Sequence, residues 1–232
     1  MVGDNYLKIK RDVENTALGA NRALKDVTLI AVGKTKPLEM LQEAYDFGAR
    51  DFGENKVQEL CGKYDSMPKD IRWHLIGHLQ TNKVKYAVGR AFMIHSVDSQ
   101  KLAEAISKEA VKQNVSVNIL IEVNVAGEDT KFGVAPADCE SLIRSIADLP
   151  GINICGLMTV APFTEDAEEN RSVFIKLREL SVDIKSKNID NVSMDCLSMG
   201  MSGDYRVAIE EGATYVRVGT SIFGERDYSI QN

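Results

Sequence analysis

The sequence predicts an α/β protein that folds as a single (β/α)8 barrel, or TIM barrel. Short apolar segments alternate with amphipathic helical patterns eight times along the 232 residues, and this alternation is typical of a parallel sheet flanked by helices. No segment between these units resembles a linker, and eight units fit the length of one barrel domain. Polar residues recur where the predicted strands end, which is where such barrels bind ligands. A doubly wound open sheet is the alternative architecture.

The predicted elements begin with an N-terminal amphipathic helix at about residues 4–24. Apolar segments predict eight strands, at residues 28–34, 50–55, 71–77, 92–97, 117–125, 152–160, 192–199 and 214–218. Helical periodicity, with prolines at helix starts and glycines at helix ends, predicts the helices between them, at 37–47, 56–64, 82–88, 99–113, 136–149, 165–187 and 203–211. We therefore expect one domain over residues 1–232.

The predicted fifth strand shows which side of the barrel wall faces inward. Ile119, Ile121 and Val123 alternate with Leu120 and Glu122. The first set is apolar, as expected for a face packed on helices, whereas the second set is partly polar. We therefore expect polar groups inside the barrel near its C-terminal mouth, which is the arrangement of a ligand site.

Composition excludes several classes of function. The formal net charge is −6 and the isoelectric point is near 5.2, which argues against a broad binding surface for nucleic acid or anionic membrane. There is no apolar stretch of membrane-spanning length and no signal-peptide core, and the four cysteines form no Cys-x-x-Cys pair. We therefore expect a cytoplasmic protein with reduced thiols. The three histidines do not form a metal-binding set, and we predict no metal site.

Lys34 is the first candidate for chemistry. It ends the predicted first strand, in which residues 29–33 are apolar or glycine, and Pro37 then opens a helix. Desolvation at the end of a buried strand lowers the pKa of a lysine amine, and an uncharged amine is what a Schiff base with an aldehyde requires. The alternative is that Lys34 only extends from the strand end to solvent.

The segments after the predicted seventh and eighth strands favour an anion site. Ser198 and Ser202 lie where the seventh strand runs into a helix, so hydroxyl groups and free backbone N–H groups meet there. After the eighth strand, Gly219 permits a close backbone approach and Thr220 adds a hydroxyl. Barrels often bind phosphate with these two loops. The alternative is that Ser202 caps a helix and that Gly219 forms a simple turn.

Arg217 is expected to point into the barrel, because it alternates with Val216 and Val218 along the eighth strand. A buried arginine needs an acceptor, since it cannot lose its charge. Glu122 is a candidate partner for a structural salt bridge, and a ligand atom is the functional alternative.

A lysine that accepts an aldehyde, a phosphate cradle and an inward arginine together describe a pocket for pyridoxal 5′-phosphate (PLP). Six motifs, between about residue 28 and Tyr228, resemble those of the pyridoxal phosphate homeostasis protein family. They are Val-Gly-Lys-Thr-Lys-Pro at 32–37, Phe-Gly-Glu-Asn-Lys-Val-Gln-Glu at 52–59, Trp-His-Leu-Ile-Gly-His-Leu-Gln-Thr-Asn-Lys at 73–83, Gly-Leu-Met-Thr at 156–159, Ser-Met-Gly-Met-Ser at 198–202 and Val-Arg-Val-Gly-Thr at 216–220. The tryptophan-containing motif is the most specific of these.

This resemblance implies a fold-type III barrel like the barrel domain of alanine racemase, without that enzyme's second domain. It also implies that a Schiff base forms on Lys34, that Asn55 lies beside the cofactor, and that Arg217 faces the pyridine nitrogen. The phosphate would be held by the two loops, through Ser198, Ser202, Gly219 and Thr220. One position departs from the family pattern, which more often has serine or threonine where Gly33 stands.

The resemblance further implies a non-catalytic protein that takes part in intracellular PLP homeostasis, by reversible binding, buffering or delivery of the cofactor. PLP-dependent apoenzymes are the expected recipients, and no catalytic residue is predicted. An arginine beside the ring nitrogen disfavours its protonation and weakens the ring as an electron sink, and no second base is evident. The alternatives are a low-activity PLP-dependent amino-acid racemase and a sugar-phosphate enzyme in which Lys34 reacts with the substrate.

Overall fold

The computed structural model describes residues 1–128 and 131–225 and shows a closed barrel of eight parallel strands. The strands are β1 Thr28–Val32, β2 Asp51–Glu54, β3 Arg72–Leu75, β4 Met93–Val97, β5 Val117–Glu122, β6 Ile152–Met158, β7 Val192–Ser198 and β8 Tyr215–Val218. Each strand pairs with the next, and β8 pairs with β1, which closes the barrel. The predicted fold class is confirmed, and the open sheet is wrong. Tyr228, where the motif range ends, lies outside the described residues.

Helices connect the strands, and one precedes β1. They are α1 Val2–Gly19, α2 Leu38–Asp46, α3 Val57–Ser66, α4 Val84–Ala87, α5 Gln100–Gln113, α6 Pro136–Ile146, α7 Arg171–Ser186, α8 Tyr205–Glu210 and α9 Thr220–Phe223. Short 3-10 turns occupy Leu24–Asp26, Thr81–Lys83 and Ala167–Asn170. The single turn α9 is absent from the sequence-based prediction. No helix in the described part of the chain is long and apolar enough to cross a membrane.

The two largest differences between the predicted and the observed helix boundaries have local causes. The helix α1 ends at Gly19 rather than at about residue 24. Asn21 adopts a left-handed backbone with a φ of 57°, which a right-handed helix cannot continue. The helix α7 begins at Arg171 rather than near residue 165, because the Asp166 side chain caps a 3-10 turn that precedes it.

The strand β1 ends at Val32 rather than at Lys34, so Lys34 lies in a tight turn after the strand. The Lys36 N–H donates to the Gly33 carbonyl oxygen at 2.9 Å, and Thr35 adopts a left-handed backbone with a φ of 64°. This turn follows the C-terminal end of β1, which is the end of a parallel barrel that binds ligands.

Apolar side chains form two separate buried clusters. The larger cluster lies between the strands and the helices and includes Trp73 and Ile119. The smaller cluster, of Met93, Leu120 and Met158, lies inside the barrel. Because Ile119 and its neighbour Leu120 fall in different clusters, the alternation predicted for the fifth strand is confirmed.

Glu122, the last residue of β5, brings a carboxyl group into this interior. Its side chain is buried, and its Oε2 atom has no hydrogen-bond partner among the described residues. Burial raises the pKa of this carboxyl to about 7, the charge of Asp98 adds to the rise, and Arg217 opposes it. The ionised form of Glu122 is therefore unfavourable in the folded protein.

We predict that Glu122→Gln stabilises the protein at alkaline pH more than at acidic pH. The folded-state pKa of about 7 lies above the ordinary value of 4.5, so the destabilising effect of Glu122 grows as pH rises through this interval. Between about pH 5 and about pH 8, the free energy of unfolding of the variant should gain ~2–3 kcal/mol relative to the wild type. Urea denaturation at both pH values measures this difference.

The exposed Glu179→Gln variant is the control for this measurement. The difference in unfolding free energy between Glu179→Gln and the wild type should be the same at both pH values. A difference for Glu122→Gln that is also independent of pH would contradict the proposed burial of an ionisable carboxyl.

Candidate functional site

A cavity of about 350 Å³ opens at the C-terminal mouth of the barrel. The loops that follow β1, β2, β6, β7 and β8 contribute to its wall. Of the seven residues predicted for the site, six line it: Lys34, Asn55, Ser202, Arg217, Gly219 and Thr220. The structure therefore brings together on one cavity residues that are nearly 190 positions apart in the chain.

Ser198 is the predicted residue that does not line this cavity. Its side chain is fully buried in the barrel interior. Its hydroxyl oxygen lies 2.9 Å from His95 Nδ1 and accepts a hydrogen bond from Arg217 Nη1 at 2.6 Å. Ser198 thus contacts another site residue rather than the space in which a ligand would lie.

Arg217 points into the interior, as predicted, and its charge is buried there. Besides Ser198, it has the Thr159 carbonyl oxygen as an acceptor, at 2.8 Å from Nη2. Glu122 forms no ion pair with it among the described residues and acts only as a more distant charge. Burial lowers the pKa of Arg217 to about 10, so the guanidinium is still cationic at neutral pH. It therefore retains N–H donors for a ligand.

The loops after β7 and β8 meet at the cavity. The Gly219 N–H donates to Ser202 Oγ at 3.3 Å, which joins the two loops. The Ser202 and Gly203 N–H groups donate to no residue that the structure describes, and Thr220 begins α9, so its N–H has no acceptor within the helix. We call these three N–H groups, with the Ser202 and Thr220 hydroxyls, the anion cradle.

Helix capping does not explain this arrangement. The helix α8 begins at Tyr205 and its N-terminal cap is Asp204, so the alternative in which Ser202 caps the helix is wrong. Asp204 Oδ1 accepts from the Met201 N–H at 2.6 Å, and Asp204 Oδ2 accepts from Asn170 Nδ2 at 2.8 Å. Both carboxylate oxygens of Asp204 therefore bind protein groups.

Asn170 is a structural member of the site that the sequence did not reveal. Its buried side-chain amide donates to the Pro162 carbonyl oxygen at 2.9 Å as well as to Asp204. It therefore ties the loop after β6 to the loop after β7. No local pattern predicts the contact with Asp204, because Asn170 and Asp204 lie on different loops, 34 positions apart in the chain.

Asn55 presents an unpartnered acceptor at the cavity wall. Its Oδ1 atom is buried and has no hydrogen-bond partner among the described residues. Gly77 allows this position, because a Cβ atom at Gly77 would lie 2.5 Å from the Asn55 carbonyl oxygen and 2.8 Å from its Cα. Buried polar atoms without partners are rare in folded proteins, and the Asn55 Oδ1 atom is therefore available to accept a hydrogen bond from a ligand.

The turn that carries Lys34 is held on both sides by charged side chains, of which Lys63 is buried and Glu59 is half-buried. Lys63 Nζ donates to the Gly33 carbonyl oxygen at 2.8 Å and to Glu54 Oε1 at 2.7 Å. Glu59 Oε2 accepts from the Thr35 N–H at 2.7 Å. The peptide groups before and after Lys34 are therefore fixed, although neither Lys63 nor Glu59 is among the predicted site residues.

This packing also explains the departure from the family pattern at Gly33. A Cβ atom at Gly33 would lie 2.9 Å from Leu41 Cδ2 and 3.0 Å from Glu54 Oε1. Leu41 and Glu54 thus occupy the space that a serine or threonine side chain at this position would need.

The match to a known family agrees with this geometry. Residues 12–227 match the family described as Alanine racemase, N-terminal domain, which is the class of protein that the barrel and its cavity define. A pyridoxal phosphate homeostasis protein of Aquifex aeolicus is 46% identical over 222 residues, which cover 95% of this chain and 95% of the relative. Within that class, the chain belongs to the pyridoxal phosphate homeostasis protein family, and the predicted resemblance is confirmed.

Solved structures show the same architecture. PipY of Synechococcus elongatus, with PLP bound, matches with a TM-score of 0.79 at 36% identity, over 91% of this chain and 99% of that chain. Alanine racemase of Corynebacterium glutamicum matches with a TM-score of 0.73 at 14% identity, over 99% of this chain and 63% of that chain. The second match is evidence for the fold alone.

We predict that Lys63→Met lowers the free energy of unfolding by about 3–5 kcal/mol near pH 8, because it leaves the buried Glu54 carboxylate without its cation. Burial already raises the pKa of Glu54 and Lys63 opposes the rise, so the loss should be smaller near pH 5.5, where Glu54 can be buried as the neutral acid. Urea denaturation at the two pH values measures both effects.

The matched control is Lys112→Met, since Lys112 forms an ion pair on the surface and its side chain is 72% exposed. It should change the free energy of unfolding by less than about 0.5 kcal/mol at either pH. Equal, small losses in the Lys63 and Lys112 variants would show that the buried pair does not hold the Lys34 turn.

Proposed function

We propose that this protein binds PLP reversibly in the cavity and takes part in intracellular PLP homeostasis by buffering or delivering the cofactor. One observation carries this proposal: a lysine-bearing turn, an anion cradle and a buried arginine surround a single cavity of about 350 Å³, a volume within the range of small-ligand sites. PipY, which has PLP bound, is similar over most of the chain. The recipients that we propose are PLP-dependent apoenzymes in the cytoplasm.

The donors and acceptors of the cavity fit this cofactor. PLP carries an anionic phosphate, a ring nitrogen, a ring hydroxyl and an aldehyde. The anion cradle supplies N–H and hydroxyl donors for the phosphate, and Arg217 supplies N–H donors for the ring nitrogen. The unpartnered Asn55 Oδ1 supplies an acceptor for the ring hydroxyl.

When bound, PLP supplies an aldehyde, with which an uncharged lysine amine condenses to a Schiff base and releases one water. We assign this amine to Lys34, whose side chain lines the cavity. Lys36 also lines the cavity, two residues further along the same turn, and its Nζ donates to the Glu225 carbonyl oxygen at 2.6 Å. Lys36 is therefore the natural control for the assignment.

Ser198 receives a different role from the one implied by the family resemblance. Its hydroxyl contacts Arg217 and His95 and does not reach the cavity. We propose that Ser198 holds Arg217 in place, and that Ser202, Gly203 and Thr220 bind the phosphate beside Gly219.

We also propose that the protein does not use the cofactor for racemisation. A cationic donor such as Arg217 disfavours protonation of the ring nitrogen, and an unprotonated ring is a weak electron sink. Racemisation also needs a proton donor and a base on opposite faces of the substrate. Apart from Lys34 and Arg217, the ionisable side chains among the described residues that line the cavity are Lys36 and Asp204. Lys36 Nζ donates to the Glu225 carbonyl oxygen, and both carboxylate oxygens of Asp204 accept from protein groups, so neither supplies the second group.

We predict that protein loaded with PLP is yellow and that borohydride fixes the cofactor on Lys34. Reduction converts the Schiff base to a stable secondary amine, so peptide mapping by mass spectrometry identifies the lysine. Lys34→Ala should abolish the visible absorption and the label while leaving the far-ultraviolet circular dichroism unchanged. Lys36→Ala should keep both the absorption and the label.

Retention of the label in Lys34→Ala would show that another lysine reacts. Wild-type protein that takes up no PLP at all would contradict the proposed function. For the non-catalytic part of the proposal, turnover of amino acids by the loaded wild type should not exceed that of Lys34→Ala, and sustained racemisation above this control would establish an enzyme.

A further inference from the structure

A continuous chain of buried hydrogen bonds crosses the barrel from the N-terminal end of β2 to Arg217. Asp51 Oδ1 lies 3.1 Å from His74 Nε2, and His74 Nδ1 lies 2.9 Å from His95 Nε2. His95 Nδ1 lies 2.9 Å from Ser198 Oγ, which accepts from Arg217 Nη1 at 2.6 Å. We call Asp51, His74, His95 and Ser198 the relay. Its members lie on β2, β3, β4 and β7, and the relay ends at Arg217 on β8.

The chemistry of the two end residues determines which atom is the donor in every hydrogen bond of the relay. Asp51 accepts from Arg72 Nε at 2.7 Å and is ionised, so it can only accept from His74 Nε2. Neutral His74 must then accept at Nδ1, and neutral His95 must donate from Nε2 and accept at Nδ1. The Ser198 hydroxyl therefore donates to His95, and this leaves its oxygen lone pairs for Arg217.

The surroundings of the two histidines keep them neutral. Both rings are fully buried, and burial lowers the pKa of each, most strongly for His95. The Tyr215 ring packs on both, with centroids 5.4 Å from His74 and 5.7 Å from His95. The hydrogen bonds to Arg72 and His74 lower the pKa of Asp51 against the effect of its burial, which keeps the accepting end charged.

We infer that Asp51 is a positioning residue for Arg217, although it lies at the opposite end of the barrel. By fixing the tautomers of His74 and His95, it makes the Ser198 hydroxyl donate to His95 Nδ1, which leaves both lone pairs of the Ser198 oxygen for the guanidinium. Hydrogen bonds aligned in one direction also strengthen one another. The expected effect on PLP binding rests on the proposed function, whereas the expected tautomers of His74 and His95 do not depend on it.

The test of the relay is nitrogen-15 NMR of histidine-labelled protein without added PLP. The chain has three histidines, and His78, outside the relay, is an internal reference. Between about pH 6 and pH 8, His74 and His95 should both be neutral Nε2–H tautomers. Asp51→Asn should give His95 a detectable Nδ1–H population although His95 does not contact Asp51, and Asp195→Asn, at an exposed position of β7, should leave it unchanged.

The PLP dissociation constant is the second measurement. Asp51→Asn should raise it about tenfold, because Arg217 loses an oriented hydrogen bond, and Asp195→Asn should not change it. The relay is wrong if wild-type His95 is the Nδ1–H tautomer, or if Asp51→Asn leaves both the His95 spectrum and the dissociation constant at wild-type values.

Serine variants keep the relay testable if Asp51→Asn does not fold. Ser198→Ala should leave both histidines as Nε2–H tautomers and raise the PLP dissociation constant about tenfold. Ser181→Ala, an equally buried change on α7, should alter neither, and equal affinity in the two variants would overturn the inference. Wild-type protein that binds no PLP but shows the expected tautomers would refute the proposed function and leave the relay intact.

Discussion

Arg217 keeps its positive charge inside the barrel, where its described hydrogen-bond acceptors, the Ser198 hydroxyl and the Thr159 carbonyl, are both neutral. Burying a charge without an ion-pair partner is costly, and oriented dipoles must replace the lost water. In the barrel interior, the relay and the Thr159 carbonyl group after β6 supply these dipoles. Because these acceptors leave guanidinium donors for the cavity, the same residue that makes the interior polar is available to bind a ligand with an acceptor atom.

The rest of the site contains buried polar groups, and their burial lowers the stability of the folded protein. Lys63 and Glu59 fix the peptide groups on either side of Lys34, and this requires a buried ion pair with Glu54. Asn55 keeps a buried acceptor without a partner among the described residues. The large apolar cluster between the strands and the helices stabilises the barrel enough to tolerate these groups. A cavity built in this way is formed before its ligand arrives.

Much of the fold follows from local patterns, whereas contacts across the barrel do not. The alternation of Ile119 with Leu120 along β5 is visible in the sequence because it depends on neighbouring residues. The end of β1 at Val32 is harder to predict, because Gly33 extends the run of apolar and glycine residues beyond the strand. Of the six predicted site residues that line the cavity, five follow the ends of strands, and Arg217 lies near the end of β8 with its side chain directed inward.

Contacts set by closure of the barrel could not be predicted. Ser198 has the residue type and the strand position of a phosphate ligand, but its hydroxyl is directed to His95, 103 positions away in the chain. The contact of Lys63 with Gly33 depends likewise on how α3 packs against β2, the strand that pairs with β1. The sequence around a buried histidine does not show which residue the closure of the barrel places next to it.

The proposed non-catalytic function depends most on whether the PLP ring nitrogen beside Arg217 is protonated, which can be observed directly. Nitrogen-15 NMR of the protein loaded with PLP labelled at the ring nitrogen reports whether that nitrogen carries a proton. We predict the chemical shift of an unprotonated nitrogen that accepts a hydrogen bond, unchanged between about pH 6 and pH 8. The shift of a protonated pyridinium would contradict the placement of Arg217 and the non-catalytic function derived from it.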